Sequence, residues 1–153
     1  MVNPIPEGLH TLTPSLTVDG AAEAIEFYKR AFGAEEKSRA PDPTGKKIWH
    51  AELRIGNSAL FLNDVAPEMG ATPSLSSLWI YIENVDAAFD RAVKAGAKVV
   101  MPVADMFWGD RMGMLVDRWN VKWALATRKK NLTPAEMKSA QDAFVAEMAR
   151  QKK

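Results

Sequence analysis

The 153-residue sequence has no cysteine. Disulfides, thiolate metal sites and cysteine nucleophiles are excluded together. Charge of one sign is also missing: 20 Lys and Arg face 19 Asp and Glu, a formal net charge of +1. So small a field does not gather nucleic acid or anionic lipid. The basic clusters Arg128-Lys129-Lys130 and Arg150-Gln151-Lys152-Lys153 read as a solvated tail. No apolar run approaches the roughly 18 residues of a membrane span. The start, Met1 to Pro6, has neither the basic stretch nor the apolar run of a signal peptide. A Gly-rich phosphate loop and a nucleophile motif are absent as well. The expectation is a cytoplasmic protein with no cofactor and no nucleic-acid or membrane partner.

What remains is ordinary globular material, 47% hydrophobic and 25% charged. A chain of this length buries roughly 70% of its unfolded surface, enough for a core. Its halves repeat one another. Leu12 to Val18 alternates like a strand and ends at Asp19-Gly20. Ala21 to Phe32 carries Ala22, Ile25, Phe27, Tyr28 and Phe32 at helical spacing, with Gly33 at the C-terminal glycine position. Strands are predicted at Lys47–Ile55 and Ser58–Asn63, joined by the hairpin dipeptide Gly56-Asn57. In the second half Leu78–Ile82 is a strand, Val85–Ala95 a helix, and Gly96-Ala97 echoes Gly33-Ala34. Strands follow at Lys98–Val103, Arg111–Val116 and Val121–Thr127. The offset that carries Gly33 onto Gly96 also carries Leu60-Phe61-Leu62 onto Trp123-Ala124-Leu125. The fold class is therefore α+β, with the order β-α-β-β-β twice.

A separate tail follows. Thr133-Pro134-Ala135-Glu136 is a capping box with proline at the first helical position, so a helix is predicted from Pro134 to about Arg150. Its Met137, Ala140, Phe144 and Met148 stripe calls for packing on the body or on a partner chain. The predicted division is 1–130 for the repeat, with modules at about 9–65 and 75–129, and 131–153 for the helical extension.

Strand alternation sorts the side chains. Ile55, Leu53, Ala51, Ser58, Leu60 and Leu62 should face the helices, leaving Arg54, Glu52, His50, Ala59, Phe61 and Asn63 on the other face. In the second half Met112, Met114, Val116, Trp123 and Leu125 are expected on the helix side. Arg111, Gly113, Leu115, Asp117, Lys122 and Ala124 are expected opposite. Trp79 and Tyr81 lie opposite Leu78, Ile80 and Ile82. Large aromatics beside a few polar groups on one sheet face suit a small-molecule pocket better than a wetted surface.

The doubled module resembles the vicinal-oxygen-chelate superfamily of glyoxalase, bleomycin-resistance and dioxygenase type, and in detail its PhnB-like branch. The matching stretches are Ile5-Pro6-Glu7-Gly8 with Thr13-Pro14, Val18 to Tyr28, His50 to Gly56, Phe107 to Arg111 with Gly113, and Trp123 to Thr127. The resemblance implies a cupped mixed sheet built from two modules, and a homodimer in which a second chain completes or flanks the cup. Metal-using members take their ligands from the first and fourth strands of each module. Carried over, those places fall near Thr13, Phe61, Ser77 and Ala124, none of which is a metal ligand of the usual kind. The segment Asp117-Arg118-Trp119-Asn120-Val121 also departs from the branch's Asp-Pro-Phe-Gly-His, lacking the proline, the glycine and the histidine.

The leading expectation is a metal-independent small-molecule binding protein. The ligand-binding candidates are Thr13, His50, Glu52, Phe61, Trp79, Tyr81, Trp108 and Arg111. One alternative is a lyase or isomerase acting on a small oxygenated substrate, with His50 or Glu52 as base and Arg111 as anion holder. Another is an interaction module with a vestigial cavity. Each candidate also has a structural role open to it. His50 and Glu52 can form a hydrogen-bonded pair, and Arg111 an internal ion pair with Asp110, Glu52 or Asp117. Met101, Met106, Met112 and Met114 read as core filler.

Overall fold

Leu16 and Val18 alternate with Thr17 and point inward, which fixes the face of β1 (Ser15–Val18). The computed structural model describes residues 2–152; Met1 of the N-terminal stretch read for a signal peptide and Lys153 of the basic tail lie outside them. After β1 come α1 (Ala21–Phe32), β2 (Glu35–Pro41), β3 (Ile48–Ile55) and β4 (Ser58–Asp64). The second module repeats the order with β5 (Ser77–Tyr81), α2 (Val85–Ala95), β6 (Lys98–Asp105), β7 (Asp110–Val116) and β8 (Lys122–Arg128). The sheets have equivalent orders, β1-β4-β3-β2 and β5-β8-β7-β6, each with one parallel pair, β1 with β4 and β5 with β8. The predicted doubled β-α-β-β-β order is present, followed by α3 (Pro134–Gln151).

Local chemistry explains the element ends. Asp64, at the end of β4, accepts hydrogen bonds from the Gly20 and Ala21 amides at 3.0 and 2.9 Å, so a neighbouring strand caps α1. The second helix is capped by its own Asn84, which accepts from the Ala87 amide at 3.1 Å. Gly33 and Gly96 end the helices at φ 66° and 118°, a backbone region that side chains disfavour. The capping box of Thr133 and Glu136 forms at the start of α3.

The helices hold the modules together. Tyr28 and Phe32 of α1 pack on Trp123 of β8, with ring centroids 5.1 and 4.4 Å away. Buried Asp117 binds the joint: Tyr28 Oη and Trp123 Nε1 donate to its Oδ2 at 2.8 and 2.9 Å, and the Trp119 and Val121 amides donate to its Oδ1. Burial first, and then the Asp117 charge, pushes the Tyr28 phenol well above its ordinary pKa. One core thus includes α1, α2 and the inner faces of both sheets. The two sheets are not hydrogen-bonded to each other, and their other faces turn outward.

The face assignment holds for β3, β4 and β5, but that for β7 requires correction. Leu115 pairs with Trp123 and Gly113 with Leu125, so Arg111, Gly113, Leu115 and Asp117 belong to the helix side. Met112, Met114 and Val116 share the outer face with Ala124 and Ala126. Turn length is the cause. Gly56-Asn57 gives the first hairpin a two-residue connection, whereas Asp117 to Val121 is five residues. An odd connection in place of an even one changes the pairing register by one residue and exchanges the faces. Within that connection Asn120 adopts φ 65°. Asparagine tolerates the left-handed region, so the turn forms without the branch's glycine.

Candidate functional site

The outer face of the first module is polar. His50 lies edge-on to Phe61, ring centroids 4.7 Å apart. Glu52 sits opposite Phe61 across the β3–β4 pair and is engaged by Arg54, whose Nη2 donates to it at 3.0 Å. Arg54 also donates to the Gly8 carbonyl, tying down the N-terminal arm. His50 and Glu52 thus share a face as expected, but the partner of Glu52 is Arg54. Thr13 lies just before β1, where its hydroxyl donates to the His10 carbonyl at 3.2 Å.

The outer face of the second module is apolar. Trp79 and Tyr81 are 48% and 57% exposed, an unusual degree for rings on a regular strand. Beside them Met112, Ala124 and Ala126 form a small cluster with Met101, Met106, Met114 and Trp108 packed against it. At its end is Asp110, 1% exposed. Tyr81 Oη and Trp108 Nε1 each donate to Asp110 Oδ2 at 2.9 Å. Arg128 Nε stands 2.7 Å from Oδ1, so an ion pair covers the other oxygen of the buried carboxylate. The sequence reading missed this group because it treated Asp110 only as a partner for Arg111. Alternation along Asp110, Met112 and Met114 was the available signal.

Arg111 is absent from this face. Its Nε and Nη2 grip Asp86 of α2 at 2.8 and 2.7 Å, and Nη1 reaches Asp105 at 3.3 Å. Asp86, then Asp105, raises the guanidinium above its ordinary pKa, and Arg111 in turn holds Asp86 below the usual carboxylate range. The internal ion pair is the role realised, with acids other than the three expected. Trp108 is half-buried as the neighbour of Asp110, and Phe107 meets Phe144 of α3 at 5.1 Å. That is the aromatic contact of α3 with the body; none of its described residues is buried.

Thr13, Trp79 and Tyr81 share a cleft of about 790 Å³ between the N-terminal arm, the β3–β4 turn and the free edge of β5. His50, Glu52 and Phe61 lie outside it. Ser15 pairs with Phe61, and Trp79 with Ala124. Around these places a hydroxyl, two rings and a methyl group do not fit a divalent ion. Among the described residues no three His, Asp or Glu side chains converge to hold one.

The repeated module defines a fold class rather than a reaction. The chain belongs to the glyoxalase/bleomycin resistance protein/dioxygenase superfamily, whose model matches residues 8–125. It is 40% identical over 140 residues to Mb0911c of Mycobacterium bovis, covering 84% of this chain and 90% of that protein. TioX from Micromonospora sp. ML1 shares the fold at TM-score 0.66 and 22% identity, over 78% of this chain and 98% of its own. The PhnB protein of Bacillus cereus does so at TM-score 0.60 and 22% identity, over 77% and 99%.

Proposed function

We propose that this protein binds a small organic molecule, without a metal, in a cup whose walls are the outer sheet faces. The observation that carries this reading is the pair of half-exposed rings, Trp79 and Tyr81, beside the apolar cluster of the second sheet. Exposed aromatics next to a few fixed polar groups are the usual composition of a ligand site. Glu52 is engaged by Arg54 at 3.0 Å, which supports binding over turnover. The positions without metal donors support metal independence.

The cup is completed by a second copy of the chain. The two outer faces point away from one common core and cannot enclose a ligand together. Ile82 donates to Ala126, and Ser76 accepts from Lys122, so the even-numbered residues of β5 bond to β8. The N–H and C=O groups of Ser77, Trp79 and Tyr81 therefore face the open edge, and such an edge recruits a strand. Pairing with another copy in a closed two-fold arrangement satisfies it.

A thermal-shift screen tests the binding reading with divalent metals, small carboxylic acids and drug-like aromatics. An organic ligand at a hundred times its Kd should stabilise the fold by about 2.7 kcal/mol, while metals leave Tm unchanged. A shift by a metal that chelator reverses would overturn the reading.

A further inference from the structure

We infer that the β6–β7 half of the second module's outer face holds a soft monovalent metal ion, Cu(I), on the thioether sulfurs of Met101, Met112 and Met114. The site goes beyond the small-molecule reading above and does not depend on it. It stands across β8 from Trp79 and Tyr81, and Cu(I) is separate from the divalent ions that test that reading. Four of the chain's eight methionines gather here, which sets this face apart from ordinary apolar packing. Met112 is buried, and Met101, Met106 and Met114 pack as partly buried side chains against its cluster, together with Trp108. β2 and β3, the counterparts in the first module, carry no methionine. Apolar packing alone needs no sulfur, since leucine fills a similar volume.

The backbone of β6 is bent so as to bring Met101 to this face. Val99 pairs with Leu115, but Met101 pairs with Met114 and Ala104 with Met112, so one extra β6 residue enters before Met101 and another after it. In a regular ladder Met101 would stand opposite Gly113, on the helix side. The first bulge turns it outward, and the second restores the alternation. Met101 accordingly packs on the outer cluster, whereas Val103, two residues on, packs on the inner core. Bulges re-aim side chains, and they concentrate at sheet edges and beside active sites. Opposed Cβ atoms such as those of Met101 and Met114 lie about 4.5–5.5 Å apart. Met112 and Met114 are rooted two residues apart on one strand, ~7 Å. Three flexible, unbranched thioether stems from roots this close can converge on one ion.

The donor set selects the ion. Soft thioethers suit Cu(I), whereas Mg, Ca and Mn call for carboxylate, carbonyl or water oxygens. Three neutral sulfurs also supply no charge to offset a divalent ion. The chain has no cysteine to compete for a soft ion. The nearby carboxylate, Asp110, is taken up by Tyr81, Trp108 and Arg128, so it offers no free oxygen donor. Trp108 packs an indole against the cluster, and indole rings favour a neighbouring cation.

Titration of the full chain with silver nitrate in chloride-free buffer tests the site, Ag(I) standing in for Cu(I) without a redox reaction. In spectra of carbon-13 methyl-labelled methionine, the signals of Met101, Met112 and Met114 should move and saturate at one equivalent, while those of Met69 and Met148 stay in place. Those two side chains belong to residues that are 68% and 44% exposed, so accessibility alone would move them first. Zn(II) should leave every methyl signal unmoved. Cu(I), kept reduced by ascorbate and offered against bicinchoninate as competitor, should bind at one ion per chain. Met101→Leu and Met114→Leu keep the packing volume. Each should weaken Cu(I) about tenfold or more, because even a change behind a metal ligand costs about 10–100-fold. Equal shifts at all methionines, no shift at one equivalent of Ag(I), or the same shifts with Zn(II) overturns the inference. So does Cu(I) affinity that survives the double Met101→Leu, Met114→Leu change, or a response confined to the imidazoles of His10 and His50.

Discussion

The two modules share a fold and strand order but differ in the chemistry of their outer faces. The first presents His50, Glu52 and Arg54 around Phe61; the second presents Trp79, Tyr81 and methionines over Ala124 and Ala126. Their inner faces, by contrast, join in a single core. Packing therefore constrains the inner residues of both copies alike, and the outer residues are free to diverge. The difference puts ionic and hydrogen-bonding groups on one half of the chain and rings and thioethers on the other. Under the proposed binding reading, a ligand meets both kinds of face only where two copies come together.

The comparison can be broken first at the β-hairpin turns, where the largest effect is expected. Asp117→Ala leaves four donors without their acceptor in the joint between modules. It should cost about 3 kcal/mol or more, measured by urea denaturation. Asn57→Ala, in the corresponding turn of the first module, should stay within about 0.5 kcal/mol. A loss as small as that of Asn57→Ala would mean that the joint does not depend on Asp117.

The next contrast lies at the paired positions Ala51 and Gly113, which face Leu62 and Leu125. A Cβ on Gly113 would stand 2.5 Å from Phe89 Cε2 of α2 and 3.1 Å from the Met101 carbonyl. Gly113→Ala should therefore destabilise by about 1–3 kcal/mol through overpacking. No loss of Tm would show that Phe89 has room to retreat.

Tyr28→Phe is expected to cost about 1–2 kcal/mol through the lost hydrogen bond to Asp117. It also has a pH signature. The folded phenol titrates above its unfolded value near 10, so its contribution is complete below that pH and declines as pH rises beyond it. The wild type should lose stability above about pH 10 more steeply than the variant, and parallel alkaline limbs would contradict this assignment. Smallest is Thr133→Ala, which removes the α3 cap. It should weaken the helix by about 1 kcal/mol, visible in amide exchange. The global midpoint should not move, because no described residue of α3 is buried.

Much of this architecture was legible because helical spacing and glycine stops are local signals. α1 and α2 begin and end where those signals place them, and the capping box of Thr133 and Glu136 is present as read. β2 had no such signal. Its Glu35 to Pro41 sequence lacks alternation, is mostly exposed, and is held in place by pairing with β3 through two irregularities of register. The misplacement of Arg111 has a similar origin. Alternation reveals which residues share a face, while the length of the turn decides which face that is, and Asp117 to Val121 has no strong turn dipeptide. The consequence was to exchange Arg111 for Asp110 at the candidate site. Trp79, Tyr81, His50 and Phe61 were placed on outer faces correctly because β3, β4 and β5 alternate cleanly.

The claim that one chain has two unlike half-cups, closed by a second copy, is tested most directly by sedimentation velocity at micromolar concentration. The wild type should sediment at twice the 16.9 kDa of one chain. Ser77→Pro, which removes an amide facing the open edge of β5 and not one bonded to β8, should sediment as a folded monomer. A wild-type species of 16.9 kDa at every concentration would contradict the account.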